Sequence, residues 1–330
     1  MIIVTGGAGF IGSAMVWKLN TMGFDNILIV DNLGHEEKWK NLTGLRYSDY
    51  LHRDQLMVAL DQSEKNPFEG LQAIVHMGAC SSTTETDAEF LMSNNYRFSQ
   101  LLAKFSLQNG VRFINASSGA TYGDGSQGFN DDIQTMRVLK PLNMYGYSKQ
   151  LFDLWAYRQG ILQALVSLKF FNVYGPNEYH KGDMMSVVCK AHKQITDTGT
   201  LKLFRSYRDD YGNGEQKRDF IYVKDIVDVM AWFLENPHAN GVFNVGTGKA
   251  RTWNDLANAV FAAMGREPKI EYIDMPDHLR EKYQYFTQAP VDKLRSAGYK
   301  AEFTPLEQGV RDYVVNYLNK DDPYMDTYGD

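Results

Sequence analysis

The opening stretch MIIVTGGAGFIG, residues 1–12, constrains this chain more than any other. Four residues that favour a buried strand, Ile2-Ile3-Val4-Thr5, run straight into Gly6, Gly9 and Gly12 at G-x-x-G-x-x-G spacing. An apolar helical pattern follows through Ile11, Met15, Val16 and Leu19. Strand, glycine turn and helix N-terminus together make a dinucleotide-binding unit. One glycine makes the tight turn, one lets backbone approach a pyrophosphate, and one packs helix against sheet. The helix N-terminus adds unpaired N–H groups and a partial positive charge. Such glycine spacing also occurs in purely structural turns, so the flanking strand and helix carry the nucleotide reading. A second strand pattern over residues 26–30 ends in Asp31. An acid that holds the adenosine ribose is expected there, about 20 residues on.

Strand-like and helix-like segments then alternate. A polar loop covers residues 32–41, a helical pattern about 53–64, and a buried strand Ala73–His76 closed by Gly78-Ala79. A long helical stretch runs from about 86 to 108, Gly110 stops it, and a strand follows at 112–115. This order predicts an α/β fold: a Rossmann doubly wound parallel sheet, with a smaller α/β C-terminal part for substrate. Another strand spans 165–171; Gly175-Pro176 then breaks the pattern, and 198–216 is irregular and rich in Gly, Asp and Tyr. Regularity returns over 220–235 and 241–248, then in a helix at 253–264, a strand at 269–273 and a helix at 305–318. The polar end, 323–330, is expected to fray. The expected division is a nucleotide-binding domain of residues 1–171 plus about 220–245, and a substrate domain of about 172–219 plus 246–330.

At 330 residues the chain exceeds one typical domain. A net charge of −6 counts against nucleic acid, which wants a basic stripe. No apolar run is long enough for a bilayer. Because the first strand opens at Ile2, a cleaved leader would remove the nucleotide site. Cys80 and Cys189 show neither CxxC nor metal-cluster spacing, which suits two free thiols in a reducing compartment. The expectation is a soluble cytoplasmic protein with no metal, nucleic-acid or membrane partner.

The chemistry concentrates in Tyr145-Gly-Tyr-Ser-Lys149. Tyr and Lys four apart on a helix share a face. A phenol titrates near ~10 and is a poor base at neutral pH. A neighbouring ammonium favours phenolate. Tyr145 is thus a candidate acid/base with Lys149 its activator; a solvated helix pair is the bland alternative. Tyr147 is a decoy, because Leu151 stands at its i+4 position. Ser117-Ser118 ends the preceding strand at the sheet's ligand-binding rim, where one hydroxyl can bond the substrate oxygen that Tyr145 serves.

The order GGAGFIG, ASSGATYG, YGYSK, RDFIYVKD and FNVGTG resembles the extended short-chain dehydrogenase/reductases that act on nucleotide sugars. GACSSTTETD, PLNMYGYSK, FFNVYGP, HKG and YQYFTQA are similar to the branch of that family that epimerises an ADP-linked heptose for the lipopolysaccharide inner core. The resemblance runs from residue 1 to about 310. It implies an isomerase with bound NADP, NAD being the lesser alternative, and a homo-oligomer, a pentamer. It implies Ser118, Tyr145 and Lys149 as the catalytic set, and Lys181 of HKG as a second acid/base. Cofactor contacts are implied at Gly6, Gly9, Phe10, Ile11, Gly12, Asp31, Asn32, Lys38 and Arg53. Others fall on Met77, Gly78, Ala79, Cys80, Ser81, Asn94, Lys149, Val173 and Lys181. Substrate contacts are implied at Ser118, Asn172, Asp183, Lys190, Phe204, Arg218 and Tyr283. The chain departs from the family's pattern in Lys190 for His, Arg53 for Lys and Asp183 for Ser, and in a longer stretch at 207–216.

Two other functions stay open at this point. One is a nucleotide-sugar 4,6-dehydratase, which wants an acid beside the Ser position, where Gly119-Ala120-Thr121 stand. The other is an NAD(P)-sensing binding protein without catalysis, which has no reason to keep Ser118, Tyr145 and Lys149 together.

Overall fold

The computed structural model describes residues 1–62, 66–280 and 283–328. In chain order the strands are β1 (Ile2–Thr5), β2 (Ile27–Asp31), β3 (Asp49–His52), β4 (Ala73–His76), β5 (Arg112–Ser118) and β6 (Val166–Phe170). They continue as β7 (Asn172–Tyr174), β8 (Leu201–Phe204), β9 (Lys217–Tyr222), β10 (Gly241–Val245), β11 (Ala250–Thr252) and β12 (Ile270–Ile273). Seven make one sheet in the order β10-β6-β5-β4-β1-β2-β3, every neighbouring pair parallel.

The central strands are apolar on both faces because both faces are covered. Ile2 and Val4 pack with Met15, Val16 and Leu19 of the Phe10–Thr21 helix and with Ile226, Val227 and Met230 of the Val223–Glu235 helix. On the other face Ile3, Leu28 and Ile74 pack with Leu56, Phe98, Leu102 and Phe152. This is the doubly wound class. Its strand order reverses between β1 and β4, and ligands bind at the carboxyl ends of strands at such a switch point.

Several elements differ from the sequence reading. β3 was not expected: at the sheet's edge, Asp49-Tyr-Leu-His52 is buried too little to show an apolar run. The polar loop at 32–41 contains a short 3-10 helix, Glu37–Leu42. The helix from Arg53 ends at Gln62 as described, and Glu64 lies outside the described residues. The long helical stretch is two α-helices, Ala88–Leu91 and Phe98–Gln108, joined by a wider π turn at Met92–Arg97. The C-terminal end does not fray over 323–328. Met325 is fully buried and donates its N–H to Asn177 Oδ1 at 3.0 Å, Thr327 N–H donates to Gly44 O, and Arg46 donates to Thr327 O. The segment is polar in composition, but one apolar side chain finds a pocket and its backbone groups find partners. Residues 329–330 lie outside the described residues. Among the described residues, no helix is long and apolar enough to cross a membrane.

Beneath the ligand-binding rim sits a fully buried ion pair. Lys169 Nζ on β6 donates to Asp153 Oδ2 at 2.7 Å, and Ser117 and Ser167 donate to the same carboxylate at 2.7 and 2.6 Å. Removing one partner of such a pair leaves the other charge uncompensated. Asp153→Ala is therefore expected to destabilise the fold by about 3–5 kcal/mol, read as a lowered urea midpoint with unchanged m-value.

Candidate active site

The glycine turn lies at the switch point. Gly6 has φ +64°, and a Cβ there would sit 2.7 Å from Gly78 N, so the loops that follow β1 and β4 approach this closely only through glycine. A Cβ at Gly12 would run into the Gly6 carbonyl. Gly9 caps the Phe10–Thr21 helix with no side-chain hydrogen bond, leaving first-turn N–H groups, including those of Phe10 and Ile11, without side-chain partners. That bare helix end and its glycine cradle fit a dinucleotide pyrophosphate.

Asp31 ends β2, 8 % exposed. Its Oδ2 accepts from Ala8 N at 2.9 Å, and its Oδ1 accepts from Asn32 N at 2.7 Å and from Lys38 Nζ at 2.8 Å. The acid is thus tied to the turn and neutralised by Lys38. Met77, Gly78, Ala79, Cys80 and Ser81 follow β4; Gly78 N–H donates to Thr5 Oγ1 at 3.1 Å. Arg53 opens its helix and donates to Asn94 Oδ1 on the π turn. Asn95, next to it, both accepts from Cys80 N and donates to Cys80 O at 2.9 Å, and donates to Ser148 Oγ at 3.1 Å. The π turn thereby stitches the loop after β4 to the helix that carries Tyr145.

That helix, Met144–Arg158, is capped by Asn143 Oδ1, which accepts from Gly146 N at 2.8 Å. It brings Tyr145 beside Ser118 at the end of β5, whose hydroxyl acts on the phenol and accepts from Ala120 N at 3.1 Å. The choice between the two serines is decided by direction: Ser117 Oγ points inward to Asp153, whereas Ser118 Oγ meets Tyr145. Burial pushes the Tyr145 phenol above its ordinary value, and the Ser118 bond opposes that shift. Lys149, 3 % exposed, is pushed down to about 8 by burial, with Asp153 opposing. Tyr147 is 46 % exposed and turned away.

Lys181 lies on the Tyr179–Met184 turn, after β7, which carries Asn172 and Val173. Its ammonium sits over the Phe10 ring, 5.0 Å from the centroid. Burial lowers its pKa, the nearby Glu178 opposes, and Lys190 lowers it further. Lys190 Nζ donates to Asp183 O at 2.7 Å, so these two departures from the family pattern meet. Arg218 on β9 is 6 % exposed, donates to Gln284 O, and stacks over Tyr283 and Trp253 at 5.2 and 5.8 Å. It does not pair with Asp219, whose carboxylate is taken by the N–H groups of Thr247, Gly248 and Ala289. Trp253 Nε1 donates to Tyr283 Oη at 2.8 Å. Phe204 ends β8, half-buried, with no contact to Arg218 among those described, and Asn172 Oδ1 accepts from Thr287 Oγ1 at 3.4 Å.

Four supporting residues escaped the sequence reading: Asn95, Asp153, Glu178 and Trp253. Only Asn95 had a signal, its place in Asn94-Asn95-Tyr96 beside a predicted contact.

Residues 2–246 match the model of the NAD dependent epimerase/dehydratase family. The chain is 65% identical over 325 residues to an ADP-L-glycero-D-manno-heptose-6-epimerase of Nitratidesulfovibrio vulgaris, covering 98% of this chain and 100% of that one. The chain belongs to this epimerase family. Among solved structures it is similar to the ADP-L-glycero-D-manno-heptose-6-epimerase of Helicobacter pylori, with TM-score 0.78 and 26% identity over 96% of this chain and 95% of that one. It is also similar to the UDP-glucose 4-epimerase of Thermus thermophilus in complex with NAD, with TM-score 0.71 and 25% identity over 95% and 97% of the two chains. A nicotinamide cofactor comes with the family.

Proposed function

We propose that the chain inverts C6 of the heptose in ADP-D-glycero-D-manno-heptose, giving the L-glycero product, with NADP as its resident cofactor. The observation that supports this reading is two ionisable side chains in separate surroundings, Tyr145 beside Ser118 and Lys181 against Phe10, each suited to carry a proton. When bound, the nicotinamide accepts a hydride from C6 and returns it. Tyr145 takes the C6 hydroxyl proton, with Ser118 bonding the same oxygen and Lys149 favouring phenolate. Lys181 returns a proton on the other side of the inverted centre. Arg218, stacked on Tyr283 and Trp253, is suited to the substrate diphosphate, which its planar fork matches better than an ammonium does. Among the described residues no carboxylate bonds to Ser118: Gly119-Ala120-Thr121 follow it, and Thr121 Oγ1 donates to Ser118 O at 2.8 Å. That absence speaks against elimination of water. An NMR time course with ADP-D-glycero-D-manno-heptose tests the reading: the L-glycero epimer is expected, and a dehydrated product or no turnover overturns it.

NADP is favoured by the Lys38–Asp31 pair. A bare carboxylate at the ribose repels a 2′-phosphate; here the cation already neutralises it, with Arg53 as a second cation further along the cofactor rim. The family description and the Thermus neighbour both name NAD. Denatured protein is expected to release mainly NADP. Lys38→Ala is expected to weaken NADP binding ~10–100-fold, the worth of one charge-assisted hydrogen bond, with a smaller loss for NAD. Release of mainly NAD, bound more tightly than NADP, overturns this choice.

A further inference from the structure

The turn that carries Lys181 is moored to the glycine turn. Asn41, 1 % exposed on the Glu37–Leu42 helix, donates through Nδ2 to Ala8 O of the glycine turn at 2.9 Å and to Asn177 O at 3.0 Å. His180 Nδ1 lies 3.3 Å from the same nitrogen. Two carbonyl acceptors fix the orientation of that amide, because its oxygen could not face them. Asn41 Oδ1 has no partner among the described residues, so the amide gives up one bond to hold both turns. Burial, then Lys38 and Lys181, bring His180 down to about 4, and a neutral imidazole suits its place beside Asn41.

Asn177 continues the mooring. It is fully buried and has φ +73°, the left-handed region that a non-glycine residue occupies only when its surroundings hold it there. Its Nδ2 donates to Ser13 Oγ at 2.9 Å, on the helix that the glycine turn opens, and its Oδ1 accepts from Met325 N. Lys181 itself rests on Phe10, the first residue of that helix. Three contacts thus tie the Lys181 turn to the element that receives the pyrophosphate.

We infer that Asn41 and Asn177 form an amide clamp that registers Lys181 against the glycine turn, making them positioning residues for the second proton transfer. The clamp rests on the reading of Lys181 as the second acid/base. It acts on Lys181 and leaves Tyr145, on its own capped helix, where it was. The two halves of the reaction therefore separate. A displacement of about 1 Å at a reacting group costs on the order of 10²-fold.

The test compares Asn41→Ala, Asn177→Gly and Lys181→Met as purified holoenzymes. Asn177→Gly is chosen because glycine keeps the positive φ and removes only the amide. Three quantities are read: bound cofactor, appearance of reduced-nicotinamide absorbance on mixing with ADP-D-glycero-D-manno-heptose, and net epimerisation by NMR. The two asparagine variants are expected to keep cofactor and the oxidation half-reaction while net epimerisation falls ~10²-fold. Asn41→Ala combined with Lys181→Met is expected to be no slower than Lys181→Met alone. Normal epimerisation in both asparagine variants, with Lys181→Met inactive, overturns the clamp alone. Equal loss of both half-reactions also overturns it, since that is what a structural role produces. Normal epimerisation by Lys181→Met removes the underlying reading and the clamp with it.

Discussion

Lys181→Met is expected to abolish net epimerisation while the bound cofactor stays in place. The expectation follows from stereochemistry. A nicotinamide held in one orientation serves one face of the sugar carbon. To invert C6, the keto intermediate must turn about the C5–C6 bond while its ADP end stays anchored. Turning carries the carbonyl oxygen away from Tyr145, and a second proton carrier is needed where it arrives. Lys181 fits because burial and Lys190 lower its pKa, which eases release of its proton, while Glu178 limits the shift. Methionine keeps an unbranched apolar stem, one atom shorter, and removes the ammonium with its proton and its charge over Phe10. C6 deuterium in the substrate should be retained in the product during turnover in ordinary water. Washout at C6 shows deprotonation in place of hydride return, and normal turnover by Lys181→Met shows that the second acid/base lies elsewhere.

Tyr145→Phe is expected to lower turnover ~10²–10⁴-fold, the usual worth of a positioned acid/base, with cofactor retained. The phenol alone is lost: Ser118 keeps its strand-end position, and the helix keeps its Asn143 cap. A pH profile tests the same assignment through Lys149. Its pKa of about 8 makes it charged below that pH and neutral above it. Since the ammonium is what favours phenolate, the Lys149 contribution is present at lower pH and is lost as pH rises through about 8. The wild type should therefore show a falling basic limb in kcat/KM. Lys149→Ala should lose that limb and weaken cofactor binding as well. Near-normal turnover by Tyr145→Phe, or a rate that climbs steadily above pH 8, counts against this assignment.

The departures of Lys190, Asp183 and Arg53 from the family pattern acquire a physical setting in the fold. Lys190 and Asp183 meet through a backbone carbonyl, and Lys190 faces Lys181 as a like charge. A positive charge there in place of His adds to the effect of burial on Lys181. Arg53 keeps a cationic hold on Asn94.

The sequence by itself determined the elements whose chemistry is local. Glycine spacing next to an apolar strand admits one backbone path, and the alternation of strands and helices admits a parallel sheet with two covered faces. Tyr145 and Lys149 share a helix face whatever surrounds them. Asp31 stands at a strand end because the apolar run stops there. The tertiary structure decided what depends on direction and on distant partners. Ser117 and Ser118 are alike as residues, and the family resemblance alone singled out Ser118; the burial of Asp153 and Lys169 gives the physical reason, because it takes up the Ser117 hydroxyl. The edge strand β3 carries no apolar signature, because none of its residues is fully buried. Asn41 lies 136 residues from Asn177, and the pairing of its amide with Ala8 and Asn177 leaves no trace in either local pattern. The polar end of the chain was misread for the same reason: composition reports what a segment prefers in water, and the seat that holds Met325 is made by residues elsewhere in the chain.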